Sequence, residues 1–452
     1  MRSHWGSKFG FVLATAGSAV GLGNIWRFPY LIAENGGGAF LLLYLICVAF
    51  LGYFLLTAKI TFGRIAKTNF VHAFQKVTDS CVSPWWGRCT GFLTLFNIFL
   101  VSAVYVVVIG WTLSYVVVAG QNLMTQSSIS IDAGLFGRLT SSYGMQLFWG
   151  ILCIAIASFI LIKGVKGGLE KTAVYLMPVL FLLLIFMVGW ILTLPGTGKG
   201  LAYLFSPNWT HLGFEITGFD GHKFAHVALL ALGQAIYSLS LGLGVCFIYG
   251  SYLTPETDIK KSTIWVVVLD TVVALLASMI VVPAVFAFGL ESKQGPTLSF
   301  VTLPFIFNQM AGGKVLMLIF FLLLFVAALT SLISIYEPAI NLLIERKGLP
   351  RKKATLCVAV GNLILSMIVL AAFTGYLNFK IWGKNLFDFA DYLTGTYTMG
   401  LLVLIYCLFM GWKIWSQMLE DLAIKNVLLK NYFSFVIKYL SVIILVLLFI
   451  MA

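Results

Sequence analysis

Asp270 stands in the run Trp265-Val-Val-Val-Leu-Asp-Thr-Val-Val-Ala-Leu-Leu-Ala277. A carboxylate at bilayer depth costs at least ~2.5–3.5 kcal/mol on insertion scales, so it requires a cation, a proton or a polar partner. Sodium is a hard ion that suits carboxylate, carbonyl and hydroxyl oxygens. Asp270 is therefore the leading cation ligand, against the plainer reading of a protonated or helix-paired structural Asp. A second apolar run carries Ala327-Ala-Leu-Thr-Ser331, whose Thr330 and Ser331 offer adjacent hydroxyls. Membrane helices also bond such hydroxyls to their own carbonyls, so these two alone are ambiguous.

The segment Ala16 to Pro29, A-G-S-A-V-G-L-G-N-I-W-R-F-P, lies inside an apolar stretch but holds Gly17, Gly21, Gly23, Asn24, Arg27 and Pro29. A helix broken at membrane depth is tolerated only where it is buried in protein or lines a cavity. The segment reads as a site built partly from backbone. Gln234 to Gly244, Q-A-I-Y-S-L-S-L-G-L-G, repeats the Gly-Leu-Gly of residues 21–23 at 242–244. Two Gly-interrupted spans in matching places of two halves point to an inverted-repeat transporter with a midplane site. Glycines that merely pack helices closely are the plainer reading.

The elements that must position these residues follow from composition. The chain has 452 residues, 60% of them hydrophobic and 10% charged, with mean hydropathy +1.00. That is a polytopic membrane protein. Apolar runs predict eleven spans at about 9–31, 39–62, 90–119, 145–163, 173–194, 225–249, 263–289, 314–344, 355–374, 386–411 and 433–452. The expected fold is all-α: eleven transmembrane helices, a 5+5 inverted repeat with broken helices 1 and 6, plus one extra helix. It forms a single transporter domain over 1–452, with repeat one at about 9–194, repeat two at about 225–411 and the extra helix at 433–452. With the N-terminus cytoplasmic, most of the 29 Lys and Arg fall on the inner side. The net charge of +13 is then the positive-inside signal rather than a nucleic-acid surface. The C-terminus is expected outside. The first span is too long, and too interrupted by Arg27 and Pro29, for a signal peptide.

Other features carry less. The seven cysteines are scattered and read as packing residues. His222 and His226 stand at i, i+4 with His211 nearby, but without supporting Cys they do not read as a metal site. Gly21-x-Gly23 lacks the strand and third glycine of a dinucleotide fingerprint. No nucleophile–base pairing is evident, which disfavours an enzyme. Asn208-Trp209-Thr210 fits a glycosylation acceptor that is common by chance. Gly168 and Pro178 bracket the start of span 5, where proline removes a helix bond, and together they suit a hinge or a plain kink. Arg27 and Asp391 flank the outer side of the break, as an ion pair able to open and close or as two independent charges.

At these residues the chain resembles the neurotransmitter:sodium symporter family, in its bacterial eleven-span amino-acid transporter branch. The resemblance runs through Trp5-Gly6-Ser7, the 16–29 segment, Glu34-Asn35-Gly36-Gly37-Gly38-Ala39-Phe40, Gly63-Arg64, the 234–244 segment and spans 8 and 10. It implies two sodium ions, one held by Ala19, Asn24, Ser238 and Asp270, the other by Gly17, Val20, Ala327, Thr330 and Ser331. It implies a substrate carboxylate at Leu22, Gly23 and Tyr105, and a side chain among Val101, Tyr237, Ser240, Leu243 and Ile335 with Ser18 near. Arg27 and Asp391 would form the outer gate under a Tyr237 lid. Arg2, Trp5, Tyr252 and Glu345 would form the inner one.

Members carrying monoamines place an Asp where Gly21 stands, so the substrate here is expected to bring its own carboxylate. A neutral hydrophobic or aromatic L-amino acid is the expectation, moved by sodium-coupled symport with alternating access in a cell membrane, a bacterial inner membrane by preference. Membrane lipid is the other expected partner. Asp270 replaces the family's usual Asn, which implies chloride independence. Lys59 stands where the family has a Glu; it either pairs with Asp270 or lies elsewhere, and near a sodium site it would reduce the stoichiometry to one. The short termini and the lack of a twelfth span favour a prokaryotic transporter. Proton coupling through Asp270 on the same fold is the first alternative, and a non-transporting amino-acid sensor is the second.

Overall fold

In an apolar medium every backbone N–H and C=O must bond within its own segment, so the long apolar runs fold as helices. The computed structural model describes residues 3–79, 84–124, 133–215, 218–289, 296–378 and 380–451. Among the described residues nine helices are long and apolar enough to cross a membrane: Gly38–Ala66, Trp85–Met124, Tyr143–Ile162, Val165–Leu192, Ile259–Ala287, Gly313–Lys347, Arg351–Phe373, Leu386–Trp412 and Val427–Leu447. Lys8–Ala19 and Gly23–Glu34, bent by 56° at their break, make a tenth. The bent pair is span 1, the next four helices are spans 2 to 5, and the last five are spans 7 to 11. The sixth expected span lies in two pieces, Gly221–Ser238 and Val245–Ser251. On length and composition ten spans are therefore recognisable, one fewer than expected. Among the described residues, strand content is limited to two short antiparallel hairpins, Phe214–Glu215 with Gly218–Phe219 and Lys380–Ile381 with Lys384–Asn385.

Span 8 is the core element. Its most apolar stretch is 83% buried, against 33% for span 5 and 39% for spans 4 and 9. A helix apolar on all sides belongs at the centre of a bundle. The outer helices instead present Phe148, Phe159, Leu182, Trp265 and Ile364 outward. An apolar surface of that extent marks a lipid-facing band.

Glycine sets how closely span 2 meets the second piece of segment 6. A Cβ on Gly63 would lie 1.9 Å from the carbonyl oxygen of Phe247, and one on Gly250 would lie 2.1 Å from that of Ile60. The two backbones thus touch through reciprocal glycines, the close approach that small residues allow between membrane helices. Gly168 lies in a π turn, Val165–Glu170, at the start of span 5, against the carbonyl of Ile160; Pro178 lies within the following helix, Lys171–Leu192. Gly250→Leu has no room, and overpacking of this kind costs ~1–3 kcal/mol or more. The detergent-solubilised variant is expected to melt several degrees below the parent; an equal melting temperature would show that the contact is looser than described.

Candidate functional site

Breaking two helices frees backbone groups, and the site is assembled from what satisfies them. In span 1 the chain leaves the helix at Val20, with φ −66° and ψ 114°. The side chain of Asn24 turns back to accept a bond from Gly21 N at 3.2 Å. Leu22 N donates to the hydroxyl of Tyr105 at 3.5 Å. The carbonyl of Gly23 accepts from Gln234 Nε2 at 3.2 Å, and that of Ser18 accepts from Ser240 Oγ at 3.0 Å. Ser240 holds φ +51°, a left-handed conformation uncommon for a residue with a Cβ. Each break is therefore tied to the other.

Around these breaks lies a small cavity of about 30 Å³ lined by Ser18, Leu22, Gly23, Val101, Tyr105, Tyr237, Ser240, Leu243 and Ile335, with Ala19, Gly21, Asn24, Ser331 and Met399. The structure thus brings together all nine residues expected around a substrate. The mixture of apolar walls with a few convergent polar groups is that of a ligand pocket. Above it the guanidinium of Arg27 lies 5.1 Å from the ring centroid of Tyr237.

On one flank Asp270 is fully buried. Its carboxylate accepts from Ser238 Oγ at 2.7 Å and from Asn24 Nδ2 at 2.8 Å, and Asn24 Nδ2 also reaches Ser238 Oγ at 3.0 Å. No Lys or Arg forms an ion pair with it among the described residues. A buried carboxylate with only neutral partners, beside a hydroxyl and an amide, is a hard-oxygen set that fits a cation. For Asn24 to serve as a ligand its amide must turn its oxygen toward that cation.

On the other flank Ser331 Oγ stands 3.0 Å from Val20 O, 3.5 Å from Gly17 O and 3.2 Å from Ala327 O. Three carbonyls from two spans thus converge on one hydroxyl. Thr330 Oγ1 bonds within its own helix, to Val326 and Ala327. Four of the five oxygens expected for a second ion therefore share one locus, and Thr330 is adjacent.

The gates are placed less completely. Arg27 and Asp391 form no ion pair among the described residues. Trp5 Nε1 donates to Tyr249 O at 3.0 Å. Arg2 lies outside the described residues. Glu345 accepts from Asn69 N at 2.7 Å and Thr68 Oγ1 at 3.1 Å. Tyr252 donates instead to Glu337 at 2.8 Å. Glu337 in turn pairs with Arg351 at 2.6 Å, while Arg351 Nε donates to Leu161 O at 2.7 Å. This buried pair ties spans 4, 8 and 9 to segment 6, and the sequence reading passed over it. The signal was present: Glu337 lies in an apolar run as Asp270 does, and Arg351 was hidden among the topogenic basic residues. Met399 was also missed, having no polar atom to mark it. Of the two placements open to Lys59, the structure shows the one away from Asp270: it donates to the carbonyls of Leu241 and Leu243. Among the described residues no cluster of three His, Cys, Asp or Glu side chains suits a metal.

Comparison with known proteins accords with this arrangement. A model of the Sodium:neurotransmitter symporter family matches residues 2–130 and 121–452. An uncharacterised sodium-dependent transporter of Haemophilus influenzae is 33% identical over 98% of this chain and 97% of its own length. The sodium-dependent transporter YhdH of Bacillus subtilis, also uncharacterised, is 35% identical over 91% of this chain and 88% of its own. The crystal structure of MhsT in complex with L-phenylalanine superposes with a TM-score of 0.87 at 34% identity over 100% of both chains. With its two broken helices, its buried lone carboxylate and these whole-length similarities, the chain belongs to the sodium:neurotransmitter symporter family and is a sodium-dependent transporter.

Proposed function

We propose that the protein moves a neutral hydrophobic or aromatic L-amino acid together with sodium, by alternating access, without requiring chloride. The observation that carries this reading is the cavity itself, which has apolar and aromatic walls, Leu22 and Gly23 of the span 1 break in its lining, and two oxygen clusters on its flanks. The phenylalanine in MhsT supports an aromatic ligand. A carboxylate at the Leu22–Gly23 backbone and the Tyr105 hydroxyl would lie close to Asn24 and join the Asp270 cluster, linking substrate to ion. Gly21 supports the same assignment, because a Cβ there would lie 2.9 Å from Ser331 Oγ and 3.0 Å from the Tyr105 hydroxyl, leaving little room for an acidic side chain.

Two sodium ions are proposed, the first at Ala19, Asn24, Ser238 and Asp270 and the second at Gly17, Val20, Ala327, Thr330 and Ser331. Lys59, bonded elsewhere, does not argue for fewer. Each charge entering down ~100 mV contributes about 2.3 kcal/mol. Two give ~4.6 kcal/mol, more than a thousandfold accumulation of a zwitterion at ~1.4 kcal/mol per decade. Asp270 supplies a fixed negative charge, the ground for chloride independence. Tyr237 with Arg27 would close the outer side against Asp391. Trp5, Tyr252 and Glu345 with Arg2 would close the inner side, and Gly168 and Pro178 would let span 5 yield. The proposed repeats run over about 9–194 and 225–411 with 433–452 as the extra helix, in a bacterial inner membrane with the N-terminus inside and the C-terminus outside.

Proteoliposomes loaded without chloride and given labelled tryptophan, tyrosine, leucine and alanine test this reading. Accumulation of the larger substrates only under an inward sodium gradient is expected. Uptake that ignores sodium and follows a pH gradient would establish proton coupling, and binding without flux would establish a sensor. Asp270→Asn is expected to raise the sodium half-saturation and make transport chloride-stimulated; unchanged ion kinetics would remove Asp270 from the site. Tyr105→Phe deletes a bond to a charged group worth ~1.5–3 kcal/mol, about a tenfold to hundredfold loss of substrate affinity. Unaltered binding would refute the carboxylate contact.

A further inference from the structure

Lys59 lies on span 2 and is 3% exposed. It makes no ion pair among the described residues. Its Nζ donates to the carbonyls of Leu241 and Leu243, inside the break between Gly221–Ser238 and Val245–Ser251. No backbone N–H of the described residues reaches either oxygen. A carbonyl left unpaired in an apolar interior is costly, so Lys59 supplies what the helix no longer does. The ammonium also lies 4.5 Å from the ring centroid of Tyr406 on span 10, whose hydroxyl is 2.9 Å from Thr94 Oγ1 on span 3.

This bond is fixed in register. The reciprocal glycines Gly63 and Gly250 hold span 2 against the segment that follows the break, one turn of helix from Lys59. From span 10, Met399 packs where a Cβ on Gly242 would lie 2.5 Å from its own Cβ. The same few residues turn Ser240 and Leu243 into the cavity. Lys59 therefore grips by its carbonyls the segment whose side chains form one wall of the pocket.

We propose that Lys59 is a substrate-positioning residue: by holding the Leu241 and Leu243 carbonyls it fixes the Leu243 wall and so sets the size of side chain the cavity accepts. This rests on the amino-acid reading above. Without the ammonium the two carbonyls lose their donor, the segment between Ser238 and Val245 relaxes, and Leu243 is no longer held at one depth. Discrimination by side-chain size weakens, while the oxygen clusters at Asp270 and Ser331, built from other bonds, keep their sodium affinity.

Equilibrium binding of labelled L-alanine, L-leucine, L-phenylalanine and L-tryptophan at saturating sodium, with the sodium half-saturation measured alongside, tests it on the parent, Lys59→Met and Lys59→Arg. Lys59→Met is expected to change the ratio of the best to the worst affinity by about tenfold, the scale of a methylene or two in an apolar pocket. Its sodium half-saturation is expected to hold, and Lys59→Arg, which keeps charge and donors, to restore the ratio. An unchanged ratio, or an equal loss for all four ligands, would overturn the proposal. Should Lys59→Met fail to fold, Leu243→Ala is compared in the parent and Lys59→Gln backgrounds, the shorter neutral side chain removing the ammonium. Coupling of the two changes in the ratio by about threefold is expected for groups sharing one contact, and additivity would overturn it. A parent that binds none of the four overturns the amino-acid reading itself and this inference with it, whereas a parent that ranks them and a Lys59→Met that ranks them identically overturns the inference alone.

Discussion

Backbone groups released inside an apolar protein must find partners, and the rest of this structure depends on how that demand is met. Two helices are broken at adjacent places, and neither break is satisfied wholly by its own residues. Gly21 N is answered by Asn24, Gly23 O by Gln234 and Ser18 O by Ser240. Because the last two donors belong to segment 6, that segment closes vacant bonds of span 1, and the two cannot move independently without exposing them. The same geometry that makes the cavity wall polar at a few points makes it responsive to anything that competes for those oxygens. That coupling of backbone satisfaction to cargo is a general property of interrupted membrane helices.

Span 8 provides the fixed reference against which this happens. It is the most buried of the nine described spans, and it contributes to both ends of the site. Ser331 gathers carbonyls of span 1 at the level of the break, and Ile335 lines the cavity one turn further on. Glu337, still further along the helix, holds Tyr252 and Arg351. One rigid element therefore reads the state of span 1 at its middle and that of segment 6 near its end.

Much of this was legible in the sequence because it departs from lipid-compatible composition. Glycines, Asn24 and Asp270 in apolar runs announce themselves by cost, and the periodicity of the breaks locates the cavity. The residues that fill the wall by shape alone, Met399 above all, carry no such mark. Nor does a sequence give direction: the ammonium of Lys59 was an anomaly without an address, since its reach extends equally toward a carboxylate or toward unpaired carbonyls. Only the close backbone contact at Gly63 and Gly250, which sets the rotation of span 2, decides between them. The divided sixth span was likewise visible as an interrupted run, but its second piece is too short to be counted by length.

Charge placement around segment 6 supports the cation proposed at Asp270. The piece Gly221–Ser238 ends at the carboxylate of Asp270, which Ser238 itself bonds. A helix C-terminus carries partial negative charge, so an anion there is doubly unfavourable. A lysine nearby would ordinarily neutralise it. Here the ammonium of Lys59 is engaged a few residues further along, at Leu241 and Leu243, and its charge serves the freed carbonyls instead. The Asp270 locus keeps an excess of negative charge among neutral donors. Such a locus would be stabilised by a cation and lose that stabilisation when the cation leaves, which is the electrostatic basis of the sodium site proposed there.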